Sequence, residues 1–220
     1  MKGDPRRARI TFNARQKMSA WDLLRALEDD TAALAIFDPQ YRAVLDKLDF
    51  GNEGQRQKKR AALQQMSDSD ICLYVEQIER ILKPSGYLML WMDKYSIGSG
   101  HHLRYLRHTE WMRIVDLLCW ETTRFGMGRR LRSCTEYLVI LQKEPTGAKH
   151  TWSDHSMRDF CSEAAARDTH PHAKPLELTK KLINAVTRAG DLVVDPCAGS
   201  YVVLDACRAT ARKFVGCDLI

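Results

Sequence analysis

The 220-residue sequence has no apolar run longer than a strand, and none long enough to cross a bilayer. Its seven cysteines are scattered, and no two form a Cys-x-x-Cys pair, which argues against a zinc ribbon or a thioredoxin-type site. No metal is expected. An odd cysteine count without a signal peptide fits a reducing cytoplasm, so a cytoplasmic protein without a membrane partner is expected. No internal repeat or low-complexity tract stands out. What is present is positive charge. The net charge of +6 and a pI near 9.0 favour a polyanionic partner. The Arg-rich start, Met1 to Lys17, is expected to be a surface arm.

The chain alternates between two periodicities. Leu34-Ala35-Ile36-Phe37 is a short apolar run that ends at Asp38-Pro39 and predicts a buried strand leading into a loop. From Asp70 to Leu82, Ile71, Tyr74, Val75, Ile78, Ile81 and Leu82 recur at helical spacing, and Pro84-Ser85-Gly86 is expected to stop that helix. Strands are expected at Tyr87 to Met92, Arg113 to Trp120 and Tyr137 to Leu141. In the last third, a helix from Pro175 to about Ala189 is followed by a strand, Leu192-Val193-Val194, that ends at Asp195. A tight turn then leads into a helix reaching about Arg212, and Lys213 to Cys217 forms a last strand closed by Asp218. This pattern predicts one α/β domain over residues 1–220 with a doubly wound, mostly parallel sheet. Two long polar stretches, Arg42 to Ser69 and Pro145 to His170, read as irregular.

Two of the expected strand ends carry chemistry. Asp195-Pro196-Cys197-Ala198-Gly199-Ser200 is followed by Asp218 after about 20 residues, the interval at which an acid holds the ribose of a nucleotide-type cofactor. Gly199 has no side chain to block a ligand. The run is not Gly-x-Gly-x-x-Gly, because Tyr201 follows Ser200 and the next glycine is Gly216. That disfavours a pyrophosphate and suits a cofactor without phosphates, such as S-adenosylmethionine. An ordinary strand–turn–helix with an incidental acid has the same pattern. Near the front, Asp38-Pro39-Gln40-Tyr41 would gather a carboxylate, a fixed backbone and an aromatic ring at a strand's carboxyl edge. An exocyclic base amine is a poor nucleophile because its lone pair is conjugated into the ring. Two acceptors on its N–H bonds would help to free that pair, and an aromatic face would hold the base by stacking. A plain strand-end turn has the same composition.

Taken in order, these segments resemble the beta-class DNA amino-methyltransferases, which modify adenine N6 or cytosine N4. Asp38-Pro39-Gln40-Tyr41 resembles the Asp-Pro-Pro-Tyr catalytic motif, and Leu82-Lys83-Pro84-Ser85-Gly86-Tyr87-Leu88 the segment that follows it. Arg132-Ser133-Cys134-Thr135-Glu136-Tyr137-Leu138-Val139 resembles the family's Arg-x-x-x-Glu-Tyr strand start. His170-Pro171-His172-Ala173-Lys174-Pro175 resembles His-Pro-x-x-Lys-Pro, and Asp195 to Ser200 the Asp-Pro-Phe-x-Gly-Ser cofactor loop. The resemblance covers roughly residues 20 to 220. It implies a Rossmann-like methyltransferase fold, circularly permuted: a catalytic half over 1–144, a short target-recognition segment over 145–169, and a cofactor half over 170–220. It also implies S-adenosylmethionine as cofactor and double-stranded DNA as partner, and it admits a homodimer.

For single residues, the resemblance implies that Asp38 and the Pro39 carbonyl accept from the target amine, beside Gln40, while Tyr41 stacks on the flipped base. Asp195, Pro196, Cys197, Ala198, Gly199 and Ser200 would line the cofactor and Asp218 would hold its ribose. His170, Lys174 and Pro175 would border the pocket. Two clusters are expected to meet phosphates: Arg56, Lys58, Lys59 and Arg60, and Arg124, Arg129, Arg130 and Arg132. Each cluster also reads as a solvated surface run. The sequence departs from the motifs in three places: Gln40 for a second proline, Cys197 for a bulky residue, and Tyr201 for a small glycine. In relatives, Asp at the first catalytic position tends to accompany adenine. Four alternatives stay open: N4-cytosine methylation, a non-catalytic DNA-binding subunit, a nicotinamide-dependent oxidoreductase, disfavoured by the missing glycines, and RNA or protein methylation, which has less motif support. A short recognition segment implies a short or relaxed target sequence.

Overall fold

The computed structural model describes residues 9–40, 66–126, 130–165 and 173–219. Seven strands make one sheet: β1 (Ala32–Phe37), β2 (Leu82–Met92), β3 (Met112–Gly126), β4 (Ser133–Lys143), β5 (Phe160–Ser162), β6 (Leu192–Asp195) and β7 (Lys213–Gly216), in the order β5-β3-β4-β2-β1-β6-β7. The β1–β2, β1–β6, β6–β7 and β3–β5 pairs are parallel, and β4 runs against both of its neighbours. The sheet is therefore mostly parallel, as the alternating periodicities imply. Its chain reverses direction of travel at β1. The path moves from β1 to β2 on one side and returns through β6 to β7 on the other, so the loops after β1 and β6 diverge at a switch point.

Helices cover both faces. On one face lie α1 (Ala20–Ala26) and α2 (Asp68–Ile81), with the short α3 (Lys94–Gly98) and α4 (His101–Tyr105). There Leu23, Leu24, Ile71, Val75 and Ile78 pack on Ala35, Phe37, Leu88 and Leu90. On the other, α5 (Leu176–Val186) and α6 (Val202–Ala209) place Leu178, Leu182, Val203 and Cys207 against Leu34, Ile36, Met89 and Phe214. The period-2 alternation of β1 sends Leu34 and Ile36 to one core and Ala35 and Phe37 to the other, which is why this strand reads as an unbroken apolar run. No described helix is long and apolar enough to cross a membrane.

Two expectations are corrected. The helix ends at Ile81, close to the expected Leu82, but Pro84-Ser85-Gly86 is not a loop before a strand at Tyr87, because these residues already lie within β2. They sit in an irregular stretch where pairing jumps from Ala32↔Leu82 to Leu34↔Tyr87. Gly86 is needed there, since a Cβ would come within 2.8 Å of the Lys83 carbonyl oxygen. The stretch after Pro145 is less irregular than it reads. Phe160–Ser162 adds β5 to the sheet, Trp152 packs on Tyr87, and the Glu163 carboxylate accepts from the Glu177 and Leu178 N–H groups at the start of α5. Residues 13–18, at the end of the expected surface arm, lie at the surface and are tied to the sheet. Asn13 and Met18 donate to the Phe214 and Asp218 carbonyls, so the segment covers β7, an edge strand whose backbone would otherwise stay open.

Tyr201 locks that segment to the sheet. It is buried at 5% exposure, although its φ of 62° is one that side chains seldom adopt. Its hydroxyl donates to the Gln16 carbonyl at 2.9 Å and accepts from the Gln16 N–H at 3.2 Å, and its ring meets Phe214. These contacts offset the backbone strain of that conformation. Tyr201→Phe should lower unfolding free energy in urea by about 1–2 kcal/mol, the cost of unpaired part-buried groups. An unchanged midpoint would show that the Gln16 contacts contribute nothing.

Candidate active site

The loops after β1 and β6 open one cavity of about 420 Å3 at the carboxyl edge of the sheet, within the range of small-molecule sites. Its wall includes Asp38 and Gln40 from the first turn, every residue from Asp195 to Ser200 in the second, and Lys174 and Asp218. Two turns far apart in sequence thus face one crevice. The reason is the register: Leu34 pairs Val193 and Ala35 pairs Val194, so Asp195 closes β6 level with Ile36, and Asp38 follows β1 two residues further out at the same edge.

The most constrained side chain is Lys174. Its ammonium lies 3.0 Å from Asp38 Oδ2 and 2.6 Å from Glu136 Oε2, and 4.9 Å above the ring of Trp91. Asp38 ends β1, Trp91 lies on β2 and Glu136 near the start of β4, so one cation spans three adjacent strands. Burial works against the ammonium, but Asp38 and then Glu136 outweigh it and hold its pKa above the usual lysine value. Pro175 buries its ring and forms the N-cap of α5 without a side-chain bond of its own; Glu163 supplies that acceptor.

Around the second turn, Gly199 has a φ of 46°, and its N–H donates to Asp218 Oδ2 at 2.9 Å. Asp195 is 4% exposed and accepts from the Cys197 N–H at 3.2 Å. Burial, partly offset by that N–H and reinforced by Asp38 and Asp218, pushes its carboxyl up to about 8. The cavity lining holds four carboxyl groups, Asp38, Asp70, Asp195 and Asp218, and one ammonium that two carboxylates already engage. Such a lining suits a cationic ligand and repels phosphate. The Asp218 carboxylate also occupies the N–H at Gly199, just before α6, where a dinucleotide would seat its pyrophosphate.

Tyr41, Arg56, Lys58, Lys59, Arg60, Arg129 and His170 lie outside the described residues. Gln40 and Met66 both line the crevice, and the Met66 N–H donates to the Gln40 carbonyl at 2.8 Å. Arg124 falls near the end of β3; Arg130 and Arg132 are exposed just before β4. Several cavity residues escaped the sequence reading as site residues, among them Asp70 and Trp91 in the lining and Glu136 beside Lys174. Glu136 was visible only as part of a strand start, and Trp91 only as one residue of an apolar run. No group of His, Cys, Asp and Glu among the described residues could hold a metal ion.

The sheet order, the switch-point crevice and the pair of turns define a Rossmann-like methyltransferase. Among solved structures, the cytosine-N4-specific PvuII DNA methyltransferase matches with a TM-score of 0.70 at 15% identity, over 94% of this chain and 82% of that one. The complex of M1.HpyAVI with SAM matches with a TM-score of 0.64 at 17% identity, over 93% and 92%. The DNA methylase family N6_N4_Mtase matches residues 33–220. The type II methyltransferase M.HhaII of Haemophilus parahaemolyticus is 46% identical over 209 residues, 94% of this chain and 91% of that protein. The chain belongs to this family of DNA methylases.

The perturbed acid gives a test of its own. An acid whose folded pKa is raised binds more protons folded than unfolded, so it lowers stability progressively between the usual aspartate range and about pH 8. Asp195→Asn removes that penalty. In the ligand-free protein, its melting temperature should exceed wild type at pH 8 by a clear margin and approach it near pH 4. Equal gains at both pH values would contradict a raised carboxyl.

Proposed function

We propose that this chain transfers a methyl group from S-adenosylmethionine to the exocyclic N6 amine of an adenine flipped out of double-stranded DNA. The observation that carries this reading is the single cavity lined by both turns. Its excess of carboxylates fits a sulfonium cofactor that has no phosphate, and this supports the same cofactor in this chain. Asp218 would hold its ribose and Gly199 would let its body approach, with Asp195, Pro196, Cys197, Ala198 and Ser200 forming the rest of the wall. When bound, S-adenosylmethionine supplies an electrophilic methyl group.

The residues of this chain do the rest. Asp38 and the Pro39 carbonyl accept the two amine N–H groups, turning the nitrogen lone pair toward the methyl carbon. Lys174, which lines the cavity and is anchored by Glu136, keeps the Asp38 carboxylate in one orientation, a positioning role. The surplus proton of the methylated amine leaves to solvent after transfer. Much of the rate comes from holding the reactants in line. Extruding the base costs a few kcal/mol, offset in part by contacts of Lys and Arg with phosphates. Adenine is preferred over cytosine on the strength of Asp38 at the first catalytic position.

A transfer assay on genomic DNA with nucleoside mass spectrometry tests this. The wild type should yield N6-methyladenine. Asp38→Ala should lose roughly a hundredfold or more in transfer, the scale of a lost positioning contact, while binding of S-adenosylmethionine by calorimetry persists. Lys174→Met should also lose transfer. N4-methylcytosine would reassign the base, and no transfer with intact DNA binding would favour a non-catalytic subunit.

A further inference from the structure

The hairpin of β3 and β4 continues beyond the sheet. On β4 the last residue paired to β2 is Tyr137, and on β3 the last paired to β5 is Glu121. Outward from the Glu121↔Thr135 pair, the hairpin is a two-stranded ribbon. Its next pair is Gly126↔Ser133, which leaves β3 with more residues than its partner and bends the ribbon. This ribbon rises from the wall of the active site, since Glu136, which grips Lys174, sits at its base. Five residues outward from Glu136 is Leu131, at 77% the most exposed large apolar side chain among the described residues. It stands between the exposed Arg130 and Arg132.

A lone exposed leucine is ordinary. One flanked in sequence by two exposed arginines, on a ribbon that starts at the carboxylate gripping Lys174, is matched to a particular surface. Arginines meet phosphates on either side, and an apolar side chain carried on such a ribbon can enter a duplex between base pairs as a wedge. Five extended residues reach at most about 17 Å, so Leu131 stays outside the cavity lining yet within reach of the duplex from which a base enters that cavity.

Resting on the methyltransferase reading, we infer that Leu131 is a wedge: it enters the base stack at the target site and fills the space that the flipped base leaves, with Arg130 and Arg132 seating the ribbon on the backbone. It contributes to base extrusion and not to cofactor binding or transfer.

The test uses duplexes carrying the recognition sequence, mapped by sequencing DNA from cells that express the full chain. One duplex is matched; in the other, an abasic site replaces the partner of the target base, so extrusion is nearly free. Single-turnover transfer by Leu131→Ala should fall roughly tenfold or more on the matched duplex and return to within about twofold of wild type on the abasic one, because only the matched duplex charges the unpairing cost to the enzyme. Leu131→Met should stay near wild type on both, as should Leu103→Ala, which alters another leucine, 63% exposed, on α4. An unimpaired Leu131→Ala, an equal loss on both duplexes, or the same phenotype in Leu103→Ala would overturn the wedge. A wild type that methylates neither duplex would overturn the methyltransferase reading, and the wedge with it.

Discussion

One ammonium group ties the site together. Lys174 lies between carboxylates of β1 and β4, strands that never touch because β2 separates them, and above the β2 indole that fills the gap. A cation so little exposed would be costly alone and is sustained by the two acids. In turn, the acids would repel each other without it. The pairing therefore fixes the height of the β1 turn relative to the sheet. The proposed acceptor on Asp38 depends on that height, because an acceptor that could swing would not align an amine with a methyl carbon.

The second constraint is topological. β1 and β6 lie side by side, but their outgoing loops part in opposite directions, so a crevice forms where strand ends would otherwise be covered. Its floor is buried and acidic. Burial makes Asp195 hard to ionise in the empty site, and a positively charged ligand is the partner that would reverse this. Tyr201 accepts an unfavourable backbone conformation at the same turn, and it is retained by hydrogen bonds to Gln16. Thus the amino-terminal segment, which covers β7, also supports the turn after β6.

Much of this was legible in the residues. β1, β6 and β7 are short apolar runs closed by acids or turn residues, and α2 has a strong helical period with a Ser67–Asp70 capping box. Local pattern suffices where burial is two-sided. It failed where a tertiary contact decides. β5 is three residues long and half exposed, and it exists only because β3 offers an open edge. The Pro84-Ser85-Gly86 run has the composition of a stop, yet β1 accommodates it as an irregularity in register. Lys174 could be assigned to the pocket from its motif, but its grip on Asp38 could not, since nothing in Thr135-Glu136-Tyr137 signals that the acid reaches across two strands.

The central claim is that one crevice holds both reactants between the turn at Asp38 and the turn at Asp195. A crystal structure of this chain with S-adenosylhomocysteine, the product left after transfer, tests it most directly. The account predicts the product's ribose on Asp218 and its sulfur facing Asp38. Product seated elsewhere would contradict it, for instance in the cavity at the opposite edge of the sheet, between Thr31, Lys83, Asp191 and Lys213.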